Sequence, residues 1–94
     1  MSEYIEIEAQ ATDDPHVIEF DTNVDLTGVD RTVEYYGSRA DMEEGSPLAQ
    51  TLAYVEGIRE LRLAGQTISI TREPDVDWHI VVADVKAAVR DFFL

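Results

Sequence analysis

The segment from Ile58 to Thr71 constrains the fold most. Leu61 and Leu63 share one face of an alternating run with Arg62 on the other, and Ile68 and Ile70 repeat the alternation after Ala64-Gly65-Gln66. A period of two on both sides of a short glycine-bearing turn predicts a half-buried β-hairpin. A lone hairpin is marginal in water, so the rest of the chain must cover its apolar face.

Three further strands and two helices are available for that. Ile5, Ile7 and Ala9 alternate with glutamates from Tyr4 to Ala9, and Ile18 and Phe20 alternate across Val17–Phe20. Thr12-Asp13-Asp14-Pro15 between them is turn chemistry, so these runs predict a second antiparallel hairpin. A polar connection around Gly28 leads to a short strand over 32–36, ended by Gly37, and 38–45 reads as an acidic loop. Ser46 as N-cap, Pro47 at the first helical position, the stripe Leu48, Leu52, Val55 and then Gly57 predict a helix over 47–56. Pro74 ends the hairpin, and Asp75-Val76-Asp77-Trp78 opens a last helix with acid at its positive end. Its stripe is Trp78, Val81/Val82, Val85, Ala88/Val89 and Phe92. The expected fold is α+β, a single domain over residues 1–94. It is a two-layer, mostly antiparallel sheet with two helices packed on one face, in the order strands, helix, hairpin, helix.

Charge and missing residue types exclude several functions. Acids outnumber bases by 20 to 7, a net charge of −13, and there is no cysteine. A phosphate backbone would be repelled, so nucleic acid is not an expected partner. Without thiolates the chain cannot build a disulfide framework or hold an iron–sulfur or zinc–thiolate centre by itself. The longest apolar run, Ile80–Ala83, is too short for a membrane span, and Met1-Ser2-Glu3-Tyr4 lacks a basic signal-peptide start. The expected location is therefore cytoplasmic, with no membrane partner.

No catalytic pattern is present. Neither His16 nor His79 sits in a metal-ligand spacing, Ser46 lies in no nucleophile elbow, and the glycines form no phosphate cradle. The chain is not expected to be an enzyme. The densest acid groups are Asp13-Asp14 and Asp41, Glu43, Glu44, which lack the order of a calcium loop but could attract basic partners or a hard cation.

In order and spacing, three segments carry a resemblance. They are Thr12-Asp13-Asp14-Pro15 with Ile18-Glu19-Phe20; Ser46-Pro47-Leu48-Ala49 with Leu52, Gly57 and Ile58; and Ile68–Arg72 followed by Val76-Asp77-Trp78. Together they resemble the amino-terminal domain of Nfu/NifU-like iron–sulfur scaffold proteins. Two departures are Asp13-Asp14 where the family often has Pro-Asn, and Ala53 in place of a frequent aromatic. The resemblance implies the family's α+β fold and a link to iron–sulfur cluster assembly. In full-length relatives a separate carboxyl-terminal domain carries the Cys-x-x-Cys pair that holds the cluster, and these residues contain no such pair. The resemblance therefore implies a non-catalytic interaction domain with no cofactor of its own, docking to a cysteine-bearing scaffold or apo-protein. Asp13, Asp14, Asp41, Glu43 and Glu44 are the expected contacts. The alternatives are weak iron or divalent-cation binding by these carboxylates, or an adaptor outside the pathway.

Overall fold

The structure, a computed structural model, describes residues 5–26 and 33–93. Its elements are β1 (Ile7–Ala11), β2 (Val17–Thr22), β3 (Glu34–Tyr36), α1 (Arg39–Glu43), α2 (Pro47–Leu52), β4 (Ile58–Ala64), β5 (Thr67–Arg72) and α3 (Trp78–Phe93). Both expected hairpins form, and β2 pairs antiparallel with β5 to join them in a five-stranded antiparallel sheet of order β1-β2-β5-β4-β3. The turn near Gly28, Tyr4 and the expected strand start at Thr32 lie outside the described residues.

The register sorts the side chains by chemistry. Phe20 pairs with Ile68, Ile18 with Ile70, Leu61 with Ile70 and Leu63 with Ile68, so one face is continuously apolar. Phe20, Leu63, Ile68 and Ile70 are fully buried there, each contributing about 1.5–3 kcal/mol through loss of water contact. The other face carries Glu8, Gln10, Glu19, Asp21, Arg62 and Tyr35 and stays exposed. All three helices put buried residues into one core with the apolar face: Met42 from α1, Leu48, Ala49 and Leu52 from α2, and Val81, Val85 and Val89 from α3.

Four local readings are corrected. The acidic loop 38–45 contains α1, whose Ser38 side chain accepts from the Asp41 N–H at 3.2 Å. One apolar residue in one turn gives no periodicity to detect, yet Met42 pins the turn to the core. Helix α2 stops at Leu52. Beyond it Tyr54 bonds to Thr51 O at 3.2 Å and Val55 to Leu52 O at 3.0 Å, tighter i−3 bonds that tuck Val55 inward. Helix α3 starts at Trp78, with the Asp77 carboxylate accepting from His79 N at 2.8 Å as its cap. Its buried row runs 81, 85, 89 in steps of four, so Phe93 packs inward and Phe92 does not.

Candidate functional site

The first and third motif segments, with Gly57 of the second, meet at one end of the sheet. Thr12 Oγ1 donates to Val17 O at 2.9 Å, and the Asp14 carboxylate accepts from His16 N at 2.9 Å, closing the β1–β2 turn on itself. Trp78 Nε1 donates to Pro15 O at 2.8 Å, and Arg72 N donates to His16 O at 2.9 Å. The Arg72 guanidinium lies 5.6 Å over the Trp78 ring and donates through Nη1 to Val76 O; its Nε is buried without a partner. Gly57, at φ +93°, leaves no room for a side chain, since a Cβ there would lie 2.7 Å from Val76 Cγ1. This cluster is a mechanical clamp among β1–β2, β5 and α3. It offers no nucleophile with an adjacent base.

A second cluster ties β3 to α2. The β3 register turns Glu34 and Tyr36 toward the helices. One Glu34 oxygen accepts from Tyr36 OH at 2.6 Å and from Ser46 Oγ at 2.6 Å, while Ser46 N donates to Tyr36 OH at 3.2 Å. Ser46 occupies the N-cap position but makes no side-chain cap bond; its hydroxyl is aimed at the half-buried Glu34 carboxylate, to which it donates. On the opposite face Tyr35 donates to Glu60. That bond to a carboxylate, chiefly, raises the phenol's pKa above its ordinary value near 10.

The five expected contact residues form two exposed groups. Asp41 and Glu43 on α1, with Glu44 next in the chain, sit against the β3–β4 edge, whereas Asp13 and Asp14 occupy the β1–β2 turn at the other. About four strand spacings, roughly 19 Å, separate these edges. Among the described residues no group of three or more His, Cys, Asp or Glu is placed to hold a metal ion. Beside the α1 acids lies a shallow groove lined by Glu43, Pro47, Gln50, Thr51, Tyr54 and Phe92. Sequence reading missed it. Phe92 fitted the core stripe, and Tyr54 lay inside a helix expected to continue.

The family described as "Scaffold protein Nfu/NifU N terminal" matches residues 7–94. The chain belongs to this family. It is similar to the NFU1 iron-sulfur cluster scaffold homolog, mitochondrial, of Drosophila virilis, at 35% identity over 88 residues, 93% of this chain and 28% of that protein. The homolog of the same name in Drosophila ananassae is 33% identical over 88 residues, 93% of this chain and 30% of that protein. The chain thus spans less than a third of the length of these curated relatives. The fold matches the crystal structure of SAV1430 from Staphylococcus aureus with a TM-score of 0.72 at 20% identity, covering 89% of this chain and 98% of that one. The solution structure of a NifU-like protein from Saccharomyces cerevisiae matches with a TM-score of 0.73 at 17% identity, covering 94% and 77%.

In this Nfu N-terminal domain, the residues of the family resemblance are spread over the clamp, the start of α2 and the core face of the sheet. An iron–sulfur cluster is held by cysteine thiolates, or by histidine with cysteine, and a chain with 0 cysteines does not fit one. No helix among the described residues is long and apolar enough to cross a membrane.

Proposed function

We propose that this Nfu N-terminal domain is a non-catalytic docking module in iron–sulfur cluster assembly. It binds a cysteine-bearing scaffold or apo-protein whose thiolates carry the metal. The observation that carries this reading is the match to the scaffold family over residues 7–94 in a chain that has no thiolate. Docking, not ligation, is the role its residues suit. The exposed acids of α1, Asp41 and Glu43, with Glu44, form the contact we favour, because an exposed charged group steers and orients an oppositely charged partner. Asp13 and Asp14 would serve a partner large enough to reach the other edge.

The test is capture from host extract on the immobilised chain, with the bound proteins identified by mass spectrometry. Cluster-assembly or iron–sulfur proteins should be recovered, and the triple variant Asp41→Asn, Glu43→Gln, Glu44→Gln should lose them. Recovery of none overturns the proposal. Anaerobic calorimetry with ferrous iron should give no binding heat at millimolar metal; a saturating signal would favour the cation-binding alternative instead.

A further inference from the structure

We infer that the groove bounded by α1, α2 and the end of α3 is a docking site for a basic amphipathic helix of a partner protein. The inference rests on the docking role proposed above and names the surface and the chemistry of its occupant. Helix α2 buries Leu48, Ala49 and Leu52 on one side. Pro47, Gln50 and Thr51 fall at i, i+3 and i+4 on the other, and with Tyr54, just past the helix, they line the groove. Tyr54 is 88% exposed and Phe92 37%, two of the five large apolar side chains exposed among the described residues. Aromatic side chains presented this way are the commonest anchors of protein interfaces.

Two polar side chains of the floor already donate within the chain. Gln50 Nε2 donates to Gly45 O at 2.9 Å and Thr51 Oγ1 to Pro47 O at 3.1 Å. Covering those two donors therefore costs little, and the gain comes from the two rings. The rim selects the partner's charge. Glu43 lines the groove, Asp41 and Glu44 are its exposed neighbours in sequence, and Arg39 of the same helix donates to Val55 O at 3.3 Å. A second copy of a chain of net charge −13 would meet repulsion there, as would an anionic lipid surface or a nucleic acid. A cationic helix with one apolar face meets both the rings and the acids.

The experiment is an amide NMR titration of the full chain with a synthetic Leu/Lys amphipathic helical peptide, and with a scrambled peptide of equal charge. Shifts should cluster at Glu43, Gln50, Thr51, Tyr54 and Phe92 for the first peptide only. Tyr54→Ser, whose free spectrum should show an intact fold, should weaken binding about tenfold. Glu43→Gln should weaken it less and flatten its salt dependence. Shifts centred on Asp13 and Asp14, equal response to the scrambled peptide, or unchanged affinity of Tyr54→Ser would overturn the groove. So would the same shifts appearing when the protein alone is concentrated, which would make a second copy the occupant. Failure here, with cluster proteins still captured by Tyr54→Ser, would leave the docking role standing on another surface. Failure of capture with the groove shifts intact would remove that role alone.

Discussion

Trp78 donates its indole N–H to the carbonyl of Pro15 at 2.8 Å, across 63 residues of sequence. The bond fastens the β1–β2 turn to the start of α3, and Arg72 stacks on the same ring from β5. Trp78→Phe keeps a ring in place but removes the donor and the better cation–π surface. It should lower unfolding free energy by about 1–2 kcal/mol. Urea unfolding followed by far-UV circular dichroism measures this, and an unchanged midpoint would show that the clamp adds nothing to stability.

Gly57 and Gly65 both have positive φ, at 93° and 61°, but their surroundings differ. An added Cβ at Gly65 meets nothing within 4 Å, whereas at Gly57 it would approach Val76 Cγ1 to 2.7 Å and Val81 Cγ2 to 3.0 Å. Gly65→Ala should cost only the backbone penalty, about 1–2 kcal/mol. Gly57→Ala adds overpacking against α3 and should cost about 2–4 kcal/mol in total. Comparable losses in the two variants would mean that Val76 yields freely.

Much of this fold is legible because the hydrophobic period is long and regular. The β4–β5 hairpin, Phe20 and Ile18, and the Val81/Val82, Val85, Ala88/Val89 stripe all follow from spacing alone. What escaped was set by single contacts. Helix α1 depends on the Ser38 cap and one buried residue, Met42, the end of α2 on the tightening that buries Val55, and the choice between Phe92 and Phe93 on one step of the helix. The acids of the candidate interface were visible as composition, but their division between two sheet edges follows from strand order, which no local pattern encodes. Tyr54 carried no signal because an exposed aromatic and a buried one look alike in sequence.

Ser46 shows how a correct position can hide a different bond. Its hydroxyl donates to Glu34 at 2.6 Å where a cap would accept from the helix. Ser46→Ala and Glu34→Gln should therefore be coupled by about 1–2 kcal/mol in a double-mutant cycle. Strictly additive losses would mean that the Ser46–Glu34 bond adds nothing to stability.

The Tyr35 phenol titrates above its ordinary value because the Glu60 carboxylate accepts its proton in a hydrogen bond and disfavours the phenolate. A folded-state pKa above the unfolded one means the bond's full contribution is present below the unfolded value near 10 and is lost as pH rises through the folded value. Ultraviolet difference titration should show one tyrosine ionising late, and Glu60→Gln should bring it back toward its neighbours. A wild-type titration with no late component contradicts the contact.

Salt should stabilise this protein. Residues 1–47 hold 13 acids against Arg31 and Arg39, and the β1–β2 register sets Glu8 directly across from Asp21 on the open face. Like charges opposed across two strands destabilise the pair, and Asp21 is only partly relieved by Gln10 Nε2 at 2.9 Å and Thr67 Oγ1 at 3.2 Å. Raising sodium chloride from about 0.1 M to about 1 M shortens the screening length from about 10 Å to about 3 Å, which weakens repulsion across the sheet surface. The melting temperature should rise over that range. Glu8→Gln should raise it most at low salt, so that its curve against salt is flatter than the parent's. A parent melting point that stays level or falls with salt would mean that the crowded carboxylates are already neutralised by bound cations, and that the net charge exerts no strain on the fold.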